Sequence, residues 1–399
     1  MRKYIILLAV LFSANLNAQD TFNDVLKAVF TNNTTIKASL EKAKADKIGN
    51  RTGINMENPE VEFGYLWGSP SGEGHRIDLS VTQSFDFPTA YRYKSQLATG
   101  KNKQVDLVYE QECFNVMQQV RLLCVELVYQ QKQNKQLTER LQQAKLLSDA
   151  YQKRFDQGDI DILERNKTRL NYLTAEKALQ MNKVNLELLN AELKRMNGGQ
   201  DIIIGNLEYP DYAFPVNFPE WYNKAEYRNP SLRIAEQEVE LSRKQEQLTR
   251  ALNFPKLSTG YTSERVSGTT FQGISVGVSI PLWEGKNTVK HQKAQTVALQ
   301  FQQEDAKMQF QNTLKSQYDK ASKLSVLLAE YSDMLETTSN ESLLKKALEK
   351  GQLSLINYLL ELEVYYDTMD KYLETERDYQ LAVAEMQQWE MMLVWNSDN

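Results

Sequence analysis

The sequence predicts an α+β chain built as two repeats, with long helices in coiled-coil packing and four short strands that each carry one apolar and one polar face. Three observations predict it. The nine prolines stand at 59, 70, 88, 210, 215, 219, 230, 255 and 281, which leaves 89–209 and 282–399 free for long helices. Proline costs a helix interior about 3 kcal/mol, so such gaps are where long helices can run. The order of punctuation is the same in both halves. Between the prolines, short segments alternate apolar and polar residues with the period of a strand.

The chain starts with Met1-Arg2-Lys3, an apolar stretch from Tyr4 to Phe12, and a small polar run that ends at Ala18. This reads as an export signal over 1–18. With Arg2 and Lys3 removed the count is 45 basic against 52 acidic, so the formal charge moves from -5 to -7. An acidic chain argues against nucleic acid as a partner, because a basic footprint is the expected signature. Past the first dozen residues no run approaches the ~18 apolar residues of a spanning helix. Aromatic residues make up 10%, too many for a solvated, disordered tail. Cys113 and Cys124 lie eleven apart in a helical stretch. That is ~16 Å along an axis, whereas a disulfide needs Cα atoms within ~7 Å. Two free, buried thiols are expected.

The repeat is detailed. Asn32-Asn33-Thr34-Thr35-Ile36 is echoed 196 residues later by Arg228-Asn229-Pro230-Ser231-Leu232, and Asn58-Pro59 by Phe254-Pro255 at the same offset. Phe87-Pro88 matches Ile280-Pro281, and Arg154-Phe155-Asp156-Gln157-Gly158 matches Ala347-Leu348-Glu349-Lys350-Gly351, both at 193. Each half therefore reads helix, hairpin, long helix, turn, helix. The first repeat covers 19–197, with a helix from Thr21 to about Met56, a hairpin over 60–87, a long helix over 90–156 and a helix over 162–196. A connector over 198–219 carries three prolines and lies across the helical body. The second repeat covers 220–399, with a helix from Glu220 to Leu252, a hairpin over 256–281, a long helix over 284–350 and a helix over 354–395. Leu355, Leu359, Leu362, Tyr366, Met369 and Leu373 alternate by four and three, as do Val116, Val120, Leu123 and Leu127, and Leu324, Leu328, Tyr331 and Leu335. These are seams between helices.

In the strands, Ile77, Leu79, Val81, Phe85 and Phe87 alternate with Asp78, Ser80, Thr82, Ser84 and Asp86. Ile274, Val276, Val278 and Ile280 alternate with Gly273, Ser275, Gly277 and Ser279. Partners precede them: Val61, Phe63, Tyr65 and Trp67 before a loop at Gly68–His75, and Leu257, Thr259 and Tyr261 before a loop at Glu264–Thr270. The second strand of each pair has roughly the ~10 residues that cross a bilayer when tilted. Trp67, Phe85, Phe87, Tyr91, Tyr93, Phe271 and Trp283 cluster at the strand ends like an interfacial girdle. The other reading is two hairpins half-buried on a soluble body. The helices, however, are already paired through their seams, whereas a bilayer would cover the greasy face without further protein. Ile77, Leu79, Val81, Phe85, Ile274, Val276, Val278 and Ile280 are then lipid-facing. Backbone in lipid must be fully paired, so such a sheet must close. Four strands cannot close alone; two copies give eight and three give twelve.

These residues resemble the outer membrane efflux protein family, the TolC-like channel-tunnels. Asn32-Asn33 with Asn229-Pro230, the strand-ending Phe87-Pro88 and Ile280-Pro281-Leu282, and the turns at Gly158 and Gly351 carry the resemblance across essentially the whole mature chain. It implies an α+β membrane channel: a homotrimer whose four strands per chain form a twelve-stranded barrel in outer membrane lipid, above a long α-helical barrel that reaches a periplasmic adaptor and, through it, an inner membrane pump of RND or ABC type. It places the adaptor contact at the tip, on Gln157, Gly158, Asp159, Ile160, Asp161 and Leu163, and on Gly351, Gln352, Leu353 and Ser354. Some members narrow the tip with acidic rings six and nine residues past the second Gly. Here Asn357 and Leu360 hold those positions and Glu361 and Glu363 are the nearest acids, so Asn357, Leu360 and Glu361 are the constriction candidates.

No metal, cofactor or enzymatic site is expected. His75 and His291 have no paired ligand spacing, and neither a phosphate loop nor a Ser/His/Asp arrangement appears. The function implied is a passive exit duct opened by adaptor docking. A type I secretion channel for polypeptides and a pore-less periplasmic coiled-coil scaffold are the rival readings.

Overall fold

The computed structural model describes residues 22–388, apart from 71, 73, 203, 206, 339 and 340. The export signal at 1–18, the expected helix start at Thr21 and the end of the final helix at 395 lie outside the described residues. The elements in chain order are α1 (Phe22–Asn32), α2 (Thr34–Gly49), β1 (Glu60–Trp67), β2 (His75–Phe85), α3 (Pro88–Asp156), α4 (Ile162–Met196), α5 (Phe218–Arg228), α6 (Pro230–Leu252), β3 (Lys256–Val266), β4 (Thr269–Ser279), α7 (Thr288–Thr338), α8 (Glu341–Glu349) and α9 (Leu355–Gln387). A similar order of helices, two strands, long helix and return helix recurs in the two halves of the chain, and the differences from the sequence-based expectations have physical causes.

The helix expected from Thr21 to Met56 is two helices and ends at Gly49. The break falls at Asn33, which is buried and donates from Nδ2 to the Met196 carbonyl at 2.7 Å, while Asn32 Nδ2 donates to Asn197 Oδ1 at 3.0 Å. The helix expected from Glu220 to Leu252 breaks at the matching residue, Asn229. Its Oδ1 accepts from the N–H groups of Ser231 and Leu232 at 2.8 and 3.3 Å, capping α6. Pro230 in the first turn lacks the N–H that would be orphaned there. The repeated asparagine is therefore a helix break in both halves, and Ile36 and Leu232 three residues on are both buried. The long helix expected over 284–350 starts later, at Thr288, after a turn through Gly285 and Asn287, and appears as α7 and α8 on either side of 339–340. Its counterpart α3 is a single helix of 69 residues.

The chain divides into two compact units. One holds Met1–Asn33, Gln119–Tyr212 and Leu324–Leu381; the other holds Thr34–Gln118, Ala213–Lys323 and Ala382–Asn399. In the first, α1 buries Phe22, Val25, Leu26 and Val29, and α3 buries Val120, Cys124, Leu127 and Val128. The chain there is braced by polar rungs. Asn182 of α4 donates to the Gln130 carbonyl at 3.1 Å, and Lys132 meets Glu376 at 2.6 Å. Arg140 donates to both carboxylate oxygens of Asp370, at 2.7 and 2.9 Å, and lies 4.5 Å above the Tyr366 ring. The guanidinium is mostly buried and without Asp370 would keep only the Tyr366 carbonyl and ring, so Asp370→Ala is expected to cost ~2 kcal/mol. Asp370→Asn, which keeps one acceptor, should cost less. Chemical denaturation of both variants checks the order.

The return of α4 is closed by Gly198, with φ +66, where an added Cβ would come within 2.5 Å of the Asn32 carbonyl oxygen. Gly199 also has positive φ, +84, but open space around it. Gly198→Ala should therefore lose the ~1–2 kcal/mol of a left-handed alanine plus the displacement of α1, and Gly199→Ala only the first. Equal losses in thermal unfolding would remove the close approach as a cause.

The connector segment over 198–219 makes contacts within each unit. In the first unit Tyr209 covers Lys132 at 4.5 Å and Tyr212 accepts from Arg121 Nη2 at 2.7 Å. In the second, the Pro215 carbonyl accepts from Tyr318 at 3.1 Å and Phe214 packs on the Tyr318 ring at 4.9 Å. Also in the second unit, Ala90, Leu97, Leu248 and Ala251 form a cluster with Tyr93 and Leu241 that seats α6 on α3.

Both cysteines are free, but only Cys124 is fully buried; Cys113 is half-buried. Burial pushes the Cys124 thiol up to about 12. Held protonated, it is a poor nucleophile.

Candidate channel wall and tip turns

The four strands form one antiparallel sheet in the order β1-β2-β3-β4. The register aligns them in rows. Val61, Val81, Tyr261 and Ile274 form one row on one face; Gln83, Thr259 and Val276 form the next; Phe85, Leu257 and Val278 the one after. The opposite face is polar: Glu62, Ser80, Thr262 and Gly273 share a row, as do Glu60, Thr82, Gly260 and Ser275. Near its turn end Arg76 Nε reaches Asp78 at 2.8 Å and Glu264 at 3.1 Å. The alternation read in single strands is therefore a property of the whole sheet.

The helices do not cover the apolar face. Ile274 is 87% exposed, Val276 77% and Phe63 66%. That disfavours hairpins half-buried on the chain's own body. Among the described residues β1 and β4 are the two edges, each with no strand paired on its outer side. An edge strand with unpaired backbone groups is a template for another chain.

Three details differ from the sequence reading. The second loop is only Ser267-Gly268, with φ +47 and +92, because β3 and β4 extend through Glu264–Val266 and Thr269–Thr270. These two positive angles suit a tight turn whose twist matches the strands. His75, placed in the first loop by sequence, begins β2. The aromatic girdle loses three members. Phe271 shares a row with Gly64, Asp78 and Glu264 on the polar face; Tyr91 accepts a hydrogen bond from the Asp86 N–H at 3.0 Å; Tyr93 joins the α3–α6 core. Of its members Trp67 remains at the turn end, where Tyr65 and His75 join it, and Phe85, Phe87 and Trp283 remain at the helix end, where Phe254 packs on Phe87 at 5.0 Å.

The turns at Gly158 and Gly351 share one design. Gly158 N–H donates to the Phe155 carbonyl at 3.0 Å and Asp159 N–H to Arg154 at 2.9 Å. Gly351 N–H donates to Leu348 at 3.0 Å and Gln352 N–H to Ala347 at 2.9 Å. Both are Schellman closures around a left-handed glycine, with φ +80 and +69. Asp161 then caps α4, accepting from the Glu164 N–H at 2.9 Å, and Ser354 Oγ accepts from the Asn357 N–H at 3.2 Å. The Asp161 carboxylate thus has a helix-starting role. Gln157, Asp159, Leu163 and Gln352 are exposed, and Ile160 and Leu353 half-buried. Leu355, Tyr358 and Leu362 turn into the protomer, which leaves Asn357, Leu360 and Glu361 together on the exposed face of α9.

The sequence reading missed a groove beside the second turn. Leu147, Tyr151 and Arg154 of α3 line it with Leu348, Gly351 and Tyr358, around a cavity of about 980 Å³. Its residues come from segments about two hundred positions apart, so spacing could not reveal it.

Taken together, the structure joins a two-faced sheet with two edge strands to long helices. No protein-family model and no curated protein matches the sequence. Among solved structures the fold is that of outer membrane channels. The chain is similar to the outer-membrane channel OprN, with TM-score 0.78, 12% identity, and coverage of 92% of this chain and 89% of that one. It is similar to the Campylobacter jejuni CmeC outer membrane channel, with TM-score 0.73, 14% identity and coverage of 92% and 85%. The open state of the Neisseria gonorrhoeae MtrE outer membrane channel gives 0.68, 13%, 92% and 88%. The fold inferred from the paired asparagines, prolines and glycines is thus the fold the chain has.

Proposed function

We propose that the chain is one subunit of an outer-membrane channel-tunnel, a passive exit duct. Three copies join β4 of one sheet to β1 of the next and close a twelve-stranded barrel. The observation that carries this is the uncovered sheet with one lipid-compatible and one water-compatible face. The fold shared with OprN, CmeC and MtrE supports it.

In this reading residues 1–18 direct export and are removed, the two repeats over 19–197 and 220–399 supply equal shares of the wall, and 198–219 ties them. The Gly158 and Gly351 turns, with the groove at Tyr151 and Tyr358, receive a periplasmic adaptor that links the duct to an inner membrane pump. Asn357, Leu360 and Glu361 line the tip constriction. The chain itself supplies no chemistry; the energy for export comes from the partner.

Membrane fractionation followed by particle imaging tests the proposal. The chain should stay with the outer membrane until detergent releases it, resist SDS as a trimer when unheated, and show three-fold symmetry. A soluble or peripheral monomer would overturn it in favour of a scaffold.

A further inference from the structure

We propose that Arg265, with His75 beside it, is a binding position for the phosphate groups of outer-leaflet glycolipid, one on the outside of each subunit. This rests on the sheet being a bilayer wall. Within the four strands, Arg265 is the one permanently charged side chain on the apolar face; every other residue there is apolar or uncharged, apart from His75. The register puts Arg265 in a row with Tyr65, Ile77 and Thr270, and puts His75 and Trp67 in the row beyond. The Ser267 N–H donates to the His75 carbonyl at 3.4 Å, which fixes His75 diagonally next to Arg265.

Position sets what such a charge can do. All four strands join helices at one end and turns at the other, so the turn end points away from the periplasmic body. Arg265 is one residue from the end of β3. A cation costs ~2–4 kcal/mol at the bilayer midplane but only ~0–1 near an interface. The rings around it mark that interface: Tyr65 stacks on His75 at 5.4 Å and meets Trp67 edge-on at 5.3 Å. On the opposite face Arg76 is engaged by Asp78 and Glu264. Arg265 is exposed and has no carboxylate partner among the described residues. A guanidinium at this level, pointing out of the wall with its donors unused, complements a headgroup phosphate, which it can bind through two parallel N–H groups.

The test is thermal unfolding of the detergent-purified full chain with added lipopolysaccharide, dephosphorylated lipopolysaccharide, or inorganic phosphate. The phosphorylated lipid should raise the wild-type midpoint by roughly 2–4 °C, and R265Q should lose most of that rise. If R265Q does not assemble, R265K serves: it keeps the charge without the paired donors and should keep less than half the rise. An equal rise with dephosphorylated lipid, with phosphate alone, or in the variant overturns the proposal. Failure of the wild type to reach the membrane would instead overturn the wall itself, which fractionation reads separately.

Discussion

Ile274→Lys is expected to abolish stable outer-membrane assembly, the largest effect available from one substitution in the sheet. Ile274 ends the row formed with Val61, Val81 and Tyr261, which lies in the middle of the strands, and it is 87% exposed. A lysine at the midplane costs ~2–4 kcal/mol. In a trimer three copies would cost ~6–12 kcal/mol, comparable to the ~5–15 kcal/mol that holds an ordinary domain together. Ser275→Lys is the control. It is the next residue, faces the polar side, and should insert normally. Val278→Lys lies two rows nearer the helices and should be milder than Ile274→Lys. The amount of chain in the outer-membrane fraction reads all three. Equal recovery of the Ile274 and Ser275 variants would mean that the apolar face does not meet lipid.

The fold was legible where local chemistry is strict. Proline exclusion marked the long helices, and period-two alternation marked the strands. Left-handed glycines marked the tip turns, because few other residues close a Schellman motif. Asn33 was not legible as a break: asparagine is tolerated inside helices, and its reason for leaving one is a bond to the Met196 carbonyl, 163 residues away. Its counterpart Asn229 was more readable, since Pro230 follows it. Glu264 and Arg265 looked like loop because charge is rare in strands. They are strand residues here because each face has a use for them, Glu264 pairing with Arg76 and Arg265 lying at the greasy face's rim. Nearness to a strand end does not by itself place Phe271 in the girdle. Its parity with Gly273 and Ser275 already placed it on the polar side. The tip groove was out of reach, since only tertiary packing brings Tyr151 to Tyr358.

Gly351→Pro is expected to uncouple the duct from its partner without dismantling it. Proline fixes φ near −65°, whereas Gly351 sits at +69 and donates its N–H to the Leu348 carbonyl. The turn must rebuild at ~3 kcal/mol or more, and Gly351 itself lines the groove with Leu348 and Tyr358. None of the sheet is touched, so membrane recovery and SDS-resistant trimers should match wild type. In cells lacking the native chain, the variant should fail to restore dye efflux. Gly158 separates shape from surface. An added Cβ there meets nothing within 4 Å, so Gly158→Leu should cost about the ~1–2 kcal/mol of a left-handed residue. Loss of efflux in that variant would then arise from bulk projecting into a docked partner rather than from a broken turn. Full efflux from both variants would move adaptor docking away from these turns while leaving the membrane wall intact.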